Sequence, residues 1–118
     1  MKKTANKKAR STIFIIFGGT GDLAKRKIMP ALYNLFLDGW LPANFAIIGT
    51  SSTKMTDKKY KDELLASVNK FSRKGKSKKE DWSKFASNIF HQAADITTAS
   101  SFTPFGDYLE KFKKEWEE

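Results

Sequence analysis

Apolar positions along this chain follow two rhythms. Thr12 to Phe17 (TIFIIF) is a continuous β-branched and aromatic run closed by two glycines, which predicts a strand buried on both faces, as in a parallel sheet. Leu23, Ile28, Ala31, Leu32, Leu35 and Phe36 then recur at helical spacing as far as Asp38-Gly39, a helix with a stop signal. Pro30 falls inside that pattern, where a missing amide and a ring clash cost about 3 kcal/mol, so a kink is expected near Arg26 or Lys27. Leu41-Pro42 makes a connection, and Phe45 to Gly49 (FAIIG) is a second short strand.

The alternation continues. Thr56 caps a predicted helix that runs to Phe71, with Tyr60, Leu64, Leu65, Val68 and Phe71 on one face and Asp57 at its positive end. Ser72 to Glu80 predicts an exposed loop, followed by a short helix around Asp81 to Ser87 and a weak strand near Ile89 to Gln92. A last amphipathic helix carries Phe105, Tyr108, Leu109, Phe112 and Trp116 on one stripe. Strand and helix in alternation predict an α/β fold, a Rossmann-like doubly wound parallel sheet, incomplete, of which this is the N-terminal βαβα portion. A final helix with no strand after it is expected where such an architecture is cut short.

Composition narrows the function classes. At 118 residues with 40% apolar content, one folded domain is expected over residues 12–118, preceded by a disordered basic arm over 1–11. The net charge of +9 is regional: residues 1 to 10 hold five Lys or Arg and no acid, and 54 to 79 hold ten against three acids. A solvated arm and solvated helix faces produce such a field, and so does a surface for polyanions. The absence of cysteine excludes disulfides and thiolate metal sites, and the single histidine has no partner at metal spacing, so no metal is expected. The apolar run after the basic start breaks at Gly18, too soon for an export signal, and no stretch approaches the ~20 residues of a membrane helix. A cytoplasmic protein is expected.

The turn after the first strand carries the chemistry. Gly18-Gly19-Thr20-Gly21-Asp22-Leu23-Ala24 contains G-x-G-x-x-A between a strand and a helix, followed by Lys25. Glycines here permit a tight turn, close backbone approach to a diphosphate and close helix packing, while the unpaired amides of the helix start attract the anion. A P-loop is excluded, because its spacing from Gly18 demands glycine where Leu23 stands. At the end of the second strand, an acid would select NAD by binding the ribose 2′-hydroxyl. Thr50-Ser51-Ser52-Thr53-Lys54 offers hydroxyls and a cation instead, which favours NADP with NAD still open.

With those residues read, GGTGDLAKRKIMPALYNL resembles the signature of the glucose-6-phosphate dehydrogenases, and Asp22, Leu23, Ala24, Lys27 and Pro30 all match it. The similarity runs on through DGWLP and FAIIGTSS and covers roughly residues 12 to 71. The resemblance implies the NAD(P)-binding domain of an oxidoreductase of the pentose phosphate pathway, which oxidises glucose 6-phosphate to the lactone with NADP. It also implies a homo-oligomer for the complete enzyme, and a substrate domain that holds the catalytic histidine, its carboxylate partner and the sugar-phosphate ligands. No catalytic residue is therefore assigned here. Many relatives carry an arginine for the 2′-phosphate where this chain has Ser52, with Lys54 as the nearby substitute.

Other conspicuous residues receive structural readings. His91 is expected to be a surface or half-buried imidazole, and Asp22 to order the turn or pair with Lys25 or Lys27. Trp40, Trp82 and Trp116 are expected to pack at element ends and on amphipathic faces. Two rival functions stay open at this level: a stand-alone nucleotide-binding module, and a basic nucleic-acid-binding domain that would show steep salt dependence.

Overall fold

The computed structural model describes residues 11–72, 75–94 and 103–116. Residues 1–10, 73–74, 95–102 and 117–118 lie outside the described residues, and with them all but Ser11 of the arm expected at 1–11 and part of the loop expected at 72–80. Strand β1 (Thr12–Phe17) leads into a π-helical stretch (Ala24–Ile28) that continues as α1 (Met29–Leu37). β2 (Phe45–Ser51), α2 (Asp57–Phe71), α3 (Lys79–Ala86), β3 (Ile89–Ala93) and α4 (Thr103–Glu115) follow. The three strands form one parallel sheet in the order β1-β2-β3, with Ile15 opposite Ile48 and Gly49 opposite His91.

Local signals set the helix ends. Thr56 caps α2 as expected, its hydroxyl accepting from the Lys59 amide at 3.1 Å. Past α1, Gly39 takes φ of 76°; its amide donates to the Phe36 carbonyl, and that of Trp40 to the Leu35 carbonyl. This paired closure needs a left-handed residue, which glycine adopts without a Cβ penalty. The disturbance expected from Pro30 takes the form of the π-helical stretch, in which the Met29 amide reaches back to the Ala24 carbonyl. A widened turn one residue ahead of a proline accommodates both its ring and the amide it lacks.

Helices cover both faces of the sheet. On one face, Phe45, Ile47 and Ile89 pack against Tyr60, Leu64 and Val68 of α2 and against Tyr33, Trp82 and Phe85. The Tyr33 and Phe85 rings meet edge to face at 5.2 Å. On the other face, α4 lays Phe105, Tyr108 and Phe112 over Ile48 and Phe90, with Phe90 and Phe112 5.4 Å apart.

Several expectations need correction. Among the described residues β2 is the strand buried on both faces, and β1 lies at the edge of the sheet, with Ile15 37% and Phe17 56% exposed. An apolar run reports burial only through the neighbours that tertiary structure supplies. Ser72 does not open an exposed loop, because its hydroxyl is buried and donates to Asn34 Oδ1 at 2.9 Å. Trp82 packs as expected, whereas Trp40 is exposed beyond the α1 stop. Leu109 shares the stripe of α4 but is exposed.

Candidate functional site

The turn after β1 and the ends of β2 and β3 meet at one edge of the sheet, where all three parallel strands finish. In open α/β sheets this is the edge at which ligands bind. Gly18 turns the chain with φ of 67°, and the Gly21 amide closes the turn on the Gly18 carbonyl at 2.9 Å. Helical geometry begins at Asp22, and the first bond back along it runs from the Lys25 amide to the Gly21 carbonyl. The amides of Asp22, Leu23 and Ala24 precede that bond, so the helix gives them no acceptor and its partial positive charge lies there. Gly18, Gly21, Asp22 and Leu23 are exposed, Thr20 is half-buried and Ala24 is buried against the sheet.

The glycines divide the work. Gly19 donates its amide to the Thr50 carbonyl at 2.8 Å and accepts the Tyr60 hydroxyl on its own carbonyl at 2.9 Å. A Cβ on Gly19 would lie 2.6 Å from that hydroxyl and 2.7 Å from the Gly49 Cα. Gly19 therefore allows the turn to lie on β2. A Cβ on Gly21 would meet only the Gly18 carbonyl, at 3.1 Å, and would otherwise point into open space. Gly21 keeps the space above the turn open.

Not all the expected side chains face that space. Thr50 is buried beneath the turn, so its hydroxyl is not presented to solvent. Lys25 pairs with Glu63 of α2 at 2.9 Å. Asp22 pairs with Arg26 at 3.7 Å, one helical turn on, rather than with Lys25 or Lys27. Ser51 is half-buried, and Ser52, Thr53 and Lys54 form an exposed turn beyond β2. Among the described residues Lys54 makes no ion pair, which leaves its charge available.

Three residues of this edge escaped the sequence reading of the site. Tyr60 is fully buried with its ring on the α2 core face and its hydroxyl on the glycine turn. Burial pushes its pKa well above the ordinary tyrosine range, with Glu63 adding to the shift, so it stays a hydrogen-bond donor. Gly49 is what lets that ring in, because a Cβ there would coincide with the Tyr60 hydroxyl. A glycine inside an apolar strand run is the signal that could have found it. Asp57, at the start of α2, accepts the His91 backbone amide at 2.7 Å.

His91 is only 7% exposed, neither a surface nor a half-buried group. Its Nε2 lies 2.8 Å from Ser51 Oγ, and its ring meets Tyr60 edge to face at 5.3 Å. Desolvation lowers its pKa, against opposing pulls from Asp57 and Glu63, so the imidazole is neutral at neutral pH. Among the described residues no group of His, Asp or Glu side chains is arranged to hold a metal ion.

Comparison with known proteins agrees with this architecture. Residues 15–118 match the family model described as glucose-6-phosphate dehydrogenase, NAD binding domain. The chain is 33% identical over 100 residues to the glucose-6-phosphate 1-dehydrogenase of Leuconostoc mesenteroides, covering 85% of this chain and 20% of that protein. It is 34% identical over 96 residues to the enzyme of Mycolicibacterium smegmatis, covering 81% and 19%. A solved glucose-6-phosphate dehydrogenase in complex with its substrate glucose-6-phosphate superposes with a TM-score of 0.77 at 26% identity, over 90% of this chain and 22% of the other. The chain thus spans about a fifth of the length of the relatives it matches. With the parallel sheet, the glycine turn and these matches in agreement, the chain belongs to the glucose-6-phosphate dehydrogenase family, and the matched segment lies in its NAD-binding domain.

Proposed function

We propose that residues 12–118 form the first half of the dinucleotide site of an NADP-dependent glucose-6-phosphate dehydrogenase, set in the cytoplasm and separate from the basic arm at 1–11. The observation that carries this reading is the turn at Gly18–Ala24, where a helix start whose first amides have no helical acceptor adjoins the open space over Gly21. Gly18, Gly19 and Gly21 shape the cradle, the Asp22, Leu23 and Ala24 amides receive the diphosphate, and the Thr20 hydroxyl adds a donor. Lys25 contributes by fixing the helix start to α2. Ser52 and Lys54 receive the 2′-phosphate, Ser51 closes the turn that carries them, and Thr50 supports the turn from below. With no carboxylate in the 50–54 segment, the negative element that would repel NADP is missing.

The bound dinucleotide supplies the hydride acceptor for oxidation of C1 of glucose 6-phosphate. This chain's part is to bind and orient its ADP-ribose half. Proton removal from the sugar and recognition of its phosphate belong to residues outside this chain, so no turnover is expected from it alone. No helix of the described residues is long and apolar enough to cross a membrane.

Calorimetric titration with NADP, NAD and 2′,5′-ADP tests the reading, with Gly21→Val as the control. Binding that favours the 2′-phosphorylated ligands and disappears in G21V supports it. A folded sample that binds none of the three overturns it.

A further inference from the structure

The proton count around Ser51 is the starting point. A serine hydroxyl has one proton to give. Ser51 Oγ lies 3.1 Å from the Thr53 carbonyl, which can only accept, and 2.8 Å from His91 Nε2. Both contacts are satisfied together only if the hydroxyl donates to Thr53 and the imidazole donates from Nε2. The first bond closes the Ser51–Thr53 turn on itself; the second ties that turn to β3, forty residues further along the chain.

His91 is itself held by its backbone and by one face of its ring. Its backbone amide is fixed by Asp57 at the start of α2, its ring stands against Tyr60, and its strand position is opposite Gly49. Its outer side forms the wall of a cavity of ≈ 420 Å³ shared with Lys54, Met55, Thr56, Gln92 and Ala93. The imidazole therefore reaches both the last residue of β2 and the space in front of the unpaired Lys54. Neutral and protonated forms both keep an N–H at Nε2, so this tie survives a change of protonation.

We infer that His91 is a positioning residue for 2′-phosphate selectivity: it acts through Ser51 to hold the Ser51–Lys54 turn where the Ser52 hydroxyl and the Lys54 ammonium converge on one anion. The inference rests on the dinucleotide reading above and adds to it the residue that sets the turn. Without the Nε2 donor the turn keeps its sequence and its charge but loses its anchor on β3. The cost then falls on the ligand that carries the 2′-phosphate and spares the one that lacks it.

The test is calorimetry of the 118-residue chain with 2′,5′-ADP and with 5′-ADP, using wild type, His91→Phe, His91→Gln, Ser51→Ala and the double variant H91F/S51A. Melting curves identify the folded samples. For His91→Phe we expect an affinity loss for 2′,5′-ADP of about five- to tenfold, the size of one hydrogen bond, and less than about twofold for 5′-ADP. The amide of His91→Gln offers a donor at a similar reach and should recover most of the loss. Ser51→Ala should match His91→Phe, and the double variant should lose no more than either single one. Equal losses for both ligands, no recovery in His91→Gln, or additive losses in the double variant would each overturn the inference and leave the dinucleotide reading standing. If folded wild type binds neither ligand, both fall together.

Discussion

β1 and β2 are written in nearly the same alphabet, TIFIIF and FAIIGTS, and they meet opposite surroundings. β2 has a strand on each side and a helical layer on each face, and only its last residue is not buried. Among the described residues β1 has one neighbouring strand and exposes Ile15 and Phe17. Composition made them strands; position in the sheet made one of them a core element. The functional edge follows the same division. β2 supplies the fixed bed on which the turn rests, through Thr50 and Gly49, and β1 leads into the glycines of the open turn.

The largest test of that contrast is Gly49→Ala. The new methyl would occupy the place of the Tyr60 hydroxyl in a site closed on all sides, so the ring must leave the core or the sheet must open. Overpacking of this kind costs about 3 kcal/mol or more, since it also breaks the hydrogen bond to Gly19. Urea denaturation should show a sample largely unfolded or with a much lower midpoint. A midpoint close to wild type would mean that β2 is not the rigid bed described above.

Next come the two glycines of the turn. Gly19→Ala forces backbone contacts at 2.7 Å with β2 and should lose about 1–3 kcal/mol of stability. Gly21→Ala meets one carbonyl oxygen at the helix start and should lose about 1 kcal/mol or less. Dinucleotide affinity should fall in both, but only Gly21→Ala should lose binding while its melting temperature stays near wild type. Reversal of that order would exchange the roles of the two residues.

What was legible in the sequence divides along the same line. The Thr56 cap, the α2 end at Phe71 and the Gly39 stop were readable because each is decided within one or two turns of chain. The glycine turn was readable for the same reason. Which strand would be central was not, because an apolar run is the same run at an edge. Nor could the Tyr60 and His91 contacts be read, since they join residues 41 and 40 positions apart and depend on how α2 and β3 come to lie over the end of β2. Lys25 was legible as part of the motif, but its ion pair with Glu63, 38 positions along the chain, was not.

A smaller effect is expected from pH. The folded chain holds a proton on His91 less tightly than the unfolded chain does, because the imidazole is desolvated. Below the unfolded value of about 6.5 the unfolded state therefore binds more protons, and stability falls with pH until the folded group also titrates. Above about pH 6.5 this contribution is fully present. Chemical denaturation between pH 8 and 5 should show the decline in wild type and a shallower one in His91→Gln, which does not titrate. Identical slopes would place the proton uptake elsewhere.

The smallest effect should come from the other strand. Phe17 is the last residue of β1 and more than half exposed, so replacing it with serine removes little that folding buries. Its backbone pairing, opposite Thr50, does not depend on the side chain. Phe17→Ser should lose no more than about 1 kcal/mol, because less than half of the side chain is buried. It should also reduce self-association in sedimentation, since an exposed apolar strand edge is a template for pairing with another chain. A loss comparable to Gly49→Ala would erase the difference between the two strands, because it would show the β1 edge to be bound into the core as firmly as β2.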